Sequence, residues 1–258
     1  MGQRRRSGCT HACLRGTRTI RAALRRDFAR RAGLDAAASE LFAEHSKGYR
    51  RGVPSVPSSF QRLTDGQLVE IGGRQWRVII GEGHSPELAC LYCARNRCAD
   101  LGDQVLPRIS PNISVHAHEP DGDPLSRFLR SLEKLRAVIP PETLVLPSHN
   151  LPFFGLQERV DELAAHHEAR CEEVIAACEE PRTAVAAAAG LVSAAPRPAS
   201  DGVRAGRGAR SSALFDGPGA LARMLGADGA NRFVRVEQLA LRDAQEPLPA
   251  RLSPRGPS

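Results

Sequence analysis

The spacing of apolar residues changes once along this chain, and that change limits what it can fold into. Between residues 67 and 92 the apolar residues fall in short runs, QLVEI (67–71), WRVII (76–80) and LACLY (88–92), with Gly72 and Gly73 between the first two. Short β-branched and aromatic runs separated by glycine build strands and tight turns. Beyond residue 123 the spacing lengthens to three and four. Leu125, Phe128, Leu129, Leu132, Leu135 and Ile139 form one such series, and Val160, Leu163, His167, Cys171, Val174, Ile175 and Cys178 form a second. Each is the stripe of a helix buried along one side. A meander followed by two long amphipathic helices predicts an α/β arrangement with helices layered on a sheet.

Punctuation supports these elements. Asp123 before Pro124 reads as an N-cap and first-turn pair, and Pro140-Pro141 stops the helix that follows. The next run, TLVLPSHN, predicts a short buried strand over 143–146 whose end delivers His149 into a loop. A helix is expected over 157–179. Upstream, Leu34, Ala38, Leu41 and Phe42 give a short helical stripe before Pro54 and Pro57.

The ends differ in composition. Of 36 Lys and Arg, eight arginines lie within residues 1–26 without one acid, which leaves 28 basic against 29 acidic residues elsewhere. The net charge of +7 therefore belongs to an arm and not to the body. That arm has no interleaved aromatics and no nucleic-acid reading motif, which argues against nucleic acid as the partner. Residues 182–217 are rich in Pro, Gly, Ala and Arg with little apolar periodicity, and read as a linker. After them, GALARMLG reads as helix, Asp228-Gly229 as a turn and RFVRVEQL as strand. The predicted organisation is a poorly ordered basic arm over 1–34, a principal domain over 35–180, a low-complexity linker over 181–217, and a small C-terminal module and tail over 218–258.

No run approaches the roughly 18 apolar residues of a membrane span. Seven cysteines, odd in number and scattered, do not make a secreted disulfide framework, so a cytoplasmic location is expected. Cys90 and Cys93 form a C-x-x-C with Cys98 five residues on. Without a second such pair this reads as a strand carrying small apolar cysteines and not as half of a zinc site.

The chemistry gathers in three loops: GEGHSPE with His84, LGDQ with Asp103, and LPSHN with His149. Two imidazoles and a carboxylate are donors that suit a zinc-like divalent ion in a hydrolytic site. The order Gly-x-Gly-His-Ser-Pro, then Gly-Asp, then Pro-Ser-His, each after a strand, resembles the metallo-β-lactamase-fold hydrolases, the superfamily that includes glyoxalase-II-like thioesterases. The resemblance covers residues 35–180.

It implies a partial αββα sandwich, with a small helical, winged-helix-like C-terminal module as some relatives carry. It implies His84 as a ligand of a first metal, Asp103 as the bridging carboxylate and His149 as a ligand of a second. It further implies zinc, two ions per complete site with iron or manganese as alternatives, and attack by metal-held hydroxide on an ester, thioester or related acyl bond of a small-molecule substrate.

The family's His-x-His-x-Asp-His signature is absent from residues 1–258. The sole H-x-H, His116-Ala117-His118, comes after Asp103 with no strand running into it, and reads as a solvated turn. His167 falls on the apolar stripe of its helix and His166 off it. Met1-Gly2 matches the glycine that follows the missing signature, which leads to the expectation of a chain truncated just past it. CARNRCADLGDQ stands where an apolar strand is expected before Asp103, and agrees with that expectation. The alternatives are a catalytically inactive fold relative and a nucleic-acid-associated protein acting through the arginine-rich arm.

Overall fold

The computed structural model describes residues 18–44, 59–194 and 220–237. Helices α1 (Arg18–Arg31) and α2 (Ala36–Glu44) come first, followed by strands β1 (Leu68–Ile71), β2 (Arg74–Gly81), β3 (Leu88–Cys93) and β4 (Cys98–Gly102). Helix α3 (Pro124–Val138), β5 (Leu144–Pro147) and α4 (Leu156–Ala177) complete the principal layer. β6 (Arg182–Thr183), α5 (Ala184–Ala194), β7 (Leu221–Leu225) and β8 (Asn231–Arg235) form a small module.

Strands β1 to β5 lie in chain order in one sheet. The first three pairings are antiparallel and β4 to β5 is parallel. Since residues facing each other across a ladder share a face, Ile79, Cys90, Ala99, Leu101 and Val145 lie on one side. There they join Phe128, Leu132, Leu135 and Ile139 of α3 and Leu156, Val160 and Leu163 of α4 in one buried cluster. The other face carries Val69, Ile71, Trp76, Ile80, Leu91, Leu144 and Leu146; Ile71 is 49% exposed and the other six are partly buried. The chain is thus a mixed α/β structure, a five-stranded sheet with α3 and α4 on one face and a second, three-stranded sheet β6-β8-β7 in the small module, in keeping with the α/β expectation.

The helix signals work as read. The Asp123 carboxylate accepts from the Ser126 amide at 2.8 Å, Pro124 opens α3, and the helix ends at Ile139 before Pro140. Helix α4 spans about 33 Å at 1.5 Å per residue, long enough to serve two cores. Its first half lies in the principal cluster. Val174, Ile175 and Cys178 pack with Ala187, Leu221 and Phe233 of the small module.

Four expectations need correction. Residues 18–31 are helical and not a poorly ordered arm, because Ala29 is buried and Phe28 stacks on Phe42 of α2 at 6.3 Å. Arg26 pairs with Glu40, and Arg30 and Arg31 with Asp27. Residues 1–17 lie outside the described residues. Second, the run before Asp103 is a strand after all. Ala99 and Leu101 are fully buried while Asp100 points outward, and the ladders on both sides hold β4 despite its polar composition. Third, the segment read as a linker begins with β6 and α5. Fourth, Leu221–Leu225 is a strand and not a helix, fixed by pairing along its whole length with β8. Residues 195–217 lie outside the described residues.

His167 on α4 packs edge-on against Phe128 at 5.5 Å, and its Nε2 lies 3.0 Å from the Ser110 hydroxyl. Burial, with the neighbouring His166 adding, pushes its pKa down from 6.5 to about 4. The folded state therefore prefers the neutral ring, whereas the unfolded chain takes up a proton near pH 6.5. Stability is full above about pH 6.5 and falls as pH drops toward 4. Urea unfolding at a series of pH values should show that slope, and His167→Leu should flatten it.

Candidate metal centre

The sheet topology brings the three chemical loops together. With β2 antiparallel to β3, β3 antiparallel to β4, and β4 parallel to β5, strands β2, β4 and β5 all run the same way. Their carboxyl ends therefore share one edge of the sheet, the edge where open α/β sheets hold ligands. His84 follows β2, Asp103 follows β4 and His149 follows β5.

Each loop is held by its own contacts. The Glu82 amide donates to the Ser131 hydroxyl at 2.9 Å, and the Gln104 side-chain amide donates to the Glu82 carbonyl at 3.0 Å. Gly83, at φ 101°, lets the chain pass over α3. The Ser148 amide donates to the Gly102 carbonyl at 3.0 Å, which ties the His149 loop to the Asp103 loop. A two-bond bridge between Val145 and Phe153 closes the far side of the His149 loop.

The side chains converge on Asp103. His84 Nε2 is 3.6 Å from one carboxylate oxygen, and His149 Nε2 is 3.3 Å from the other. Asp103 and His84 are about 30% and 27% exposed, and His149 is 66% exposed. On its other side His84 Nδ1 lies 2.9 Å from the Asn112 carbonyl oxygen. That carbonyl can only accept, so Nδ1 carries the hydrogen and Nε2 of the neutral ring carries its lone pair toward Asp103. An acceptor nitrogen then faces an acceptor oxygen. Such a pair is satisfied by a proton, a cation or a water that donates to both.

The donor set passes one test for a metal and fails another. Two ligands of a single tetrahedral zinc at about 2.0–2.1 Å stand roughly 3.3–3.4 Å apart, close to the separations here. The number falls short. Among the described residues no group of three or more His, Cys, Asp or Glu stands arranged to hold a metal ion. The trio is joined pairwise, each imidazole to its own oxygen of Asp103, which gives two donors per position where a hydrolytic zinc takes three from its protein.

Beside His84 lies a shallow open cleft, lined in part by Ser85, Ser114, His116, Glu119 and Arg127. His116 stacks on His118 at 5.3 Å and forms a tight turn with Glu119, as the solvated-turn reading expects. The sequence did not reveal that this turn borders the same cleft as His84. Arg127 pairs with Glu119 at 2.8 Å, and Ser85 Oγ is buried with no hydrogen-bond partner among the described residues. Two other participants also went unread. The Asn112 carbonyl is backbone and carries no side-chain signal, and Gln104, next to Asp103 in the LGDQ loop, is fully buried.

No protein-family model matches the chain. A β-lactamase domain protein of known structure from Burkholderia ambifaria is similar to it, 38% identical with a TM-score of 0.71, over 84% of this chain and 62% of that one. A metallo-β-lactamase family protein from Thermus thermophilus is 27% identical with a TM-score of 0.60, over 83% of this chain and 69% of that one. A curated relative, an uncharacterized protein from Aquifex aeolicus (strain VF5), is 26% identical over 98 residues, 38% of this chain and 44% of its own length. The chain therefore spans less than two thirds of the first and last of these. The five-stranded sheet, the helices on its face and the loops on its shared edge define an α/β protein whose candidate site lies at the carboxyl ends of the strands. The chain shares the metallo-β-lactamase fold with the first two of these structures. Among the described residues no helix is long and apolar enough to cross a membrane.

Proposed function

We propose that His84, Asp103 and His149 form part of the divalent-cation site of a metallo-hydrolase, acting on an ester, thioester or related acyl bond in the manner of a glyoxalase-II-like enzyme. Zinc is the first candidate, with iron or manganese as alternatives. The observation that carries this reading is the placement of His84 between the Asn112 carbonyl and Asp103. With Nδ1 committed to the Asn112 carbonyl, the Nε2 lone pair and an Asp103 oxygen face each other at 3.6 Å, an arrangement that a cation resolves.

A bound cation supplies charge to polarise a carbonyl and lower the pKa of a water. The residues of this chain orient the donors and present the cleft beside His84. Three donors do not hold two cations, so the chain on its own is expected to bind one ion weakly and to hydrolyse little. A non-catalytic fold relative is the second reading, favoured by that same shortage of donors.

Zinc titration by calorimetry, with His84→Ala alongside, tests this. About one equivalent is expected, with Kd no tighter than about 1 μM, since a four-ligand zinc site is worth about 10 kcal/mol or more. The His84→Ala chain should lose it. No binding by the wild type would leave the non-catalytic reading. Two tight equivalents would mean further donors, and His116 and His118 would be tested first.

A further inference from the structure

We propose that Cys93 and Cys98 are an oxidation site that closes into a disulfide across the β3–β4 hairpin when the protein meets a small-molecule disulfide. The two residues are Cα partners, the final rung before the turn over residues 94–97. Directly opposed residues on antiparallel strands stand about 4.5 or 5.5 Å apart at Cα and project to the same face. Both separations fall within the roughly 4.4–6.8 Å that a disulfide spans. All five cysteines among the described residues carry free thiols.

The other thiols among the described residues do not compete. Cys90 lies three residues before Cys93 on one strand, so the two point to opposite faces. Cys90 sits in the core under the helices, its Sγ 3.7 Å from the Leu101 carbonyl oxygen, and burial pushes its thiol up to about 12. The C-x-x-C spacing that draws the eye is therefore the pair that cannot close. Cys171 and Cys178 are separated by seven residues of α4, about 10 Å along its axis, and cannot meet.

Access divides the roles within the pair. Cys98 is partly exposed beside an exposed turn, whereas Cys93 is fully buried. Burial and the nearby Cys93 raise the Cys98 thiol while the Arg74 cation opposes them, so attack is slow near neutral pH and faster at alkaline pH. The Cys98 thiolate attacks one sulfur of the small disulfide and releases one small thiol. The Cys93 thiol then loses its proton and displaces the second small thiol from Cys98. Two protein thiols are oxidised, one small disulfide is reduced to two thiols, and the S–S bond replaces two S–H bonds. The bridge fixes the start of β4, the strand that ends at Gly102 just before Asp103.

The test is to incubate the 258-residue chain with oxidised glutathione at alkaline pH, then measure intact mass and map linked peptides. The wild type should lose about 2 Da as two thiol hydrogens leave, with Cys93 linked to Cys98. Cys93→Ser should stop at a glutathione adduct on Cys98, and Cys98→Ser should leave Cys93 unmodified. A stable glutathione adduct on Cys93 or Cys98 of the wild type, linkage of either residue to another cysteine, or no loss of thiols at this pair would each overturn the proposal.

Discussion

Replacing Gly83 with alanine is expected to destabilise the folded chain by about 3–5 kcal/mol, a large share of the roughly 5–15 kcal/mol that holds a domain of this kind together. Two costs combine. The backbone sits at φ 101°, a conformation that a residue with a Cβ adopts only under strain. That Cβ would also stand 2.4 Å from Phe128 Cβ, 2.7 Å from the Pro124 carbonyl oxygen and 2.8 Å from Phe128 Cα. These are backbone or first side-chain atoms at the start of α3, so relief requires moving the helix or the loop. Gly66 is the control. At φ 75° it has nothing within 4 Å of an added Cβ, so Gly66→Ala should cost only the conformational strain, about 1 kcal/mol. Urea unfolding of both variants measures the difference. Equal effects would mean that the close approach of loop and helix is not part of the stable fold. Because Gly83 precedes His84, Gly83→Ala should also weaken cation binding in whatever protein remains folded.

What could be read from sequence, and what could not, follows from where each signal lies. Strands β1 to β3 announce themselves as short apolar runs and helices α3 and α4 by an apolar face of the right period, and local chemistry at Gly72-Gly73, Asp123 and Pro140 marks their ends. Strand β4 is hidden. Only Ala99 and Leu101 face the core, and Cys98 and Asp100 break any apolar run, so its existence depends on the ladders beside it. Strand β7 is hidden for the opposite reason. ALARML has good helical propensity, and pairing with β8 overrides it. Helix α1 is masked by its arginines, whose partners Glu40 and Asp27 become visible only once the chain is folded. At the site, the three loops were legible as a set of motifs. Their meeting at one edge follows from strand direction, which the spacing of motifs does not encode.

Asp103→Asn should weaken cation binding by at least about 100-fold and, in the absence of any cation, raise the thermal midpoint of the same protein. The first effect exceeds the roughly 10- to 100-fold cost of losing an outer partner of a metal ligand, because Asp103 is the one group that faces both imidazoles and carries the only negative charge of the trio. The second follows from the acceptors that confront each other there. His84 Nε2 and, in one tautomer, His149 Nε2 direct lone pairs at the Asp103 oxygens, whereas an asparagine amide donates a hydrogen bond to one of them. Opposite signs for affinity and stability are what a ligand site gives when its donors are held for an ion that the apo chain lacks. If His84 is instead an imidazolium paired structurally with Asp103, the same substitution removes a charge partner and both quantities fall together. Differential scanning calorimetry in the presence of a chelator, beside the zinc titration, separates the two. A lower midpoint for Asp103→Asn would reassign His84 and Asp103 to the scaffold, leaving His149, 66% exposed and tied among the described residues to Asp103, as a surface partner of that pair.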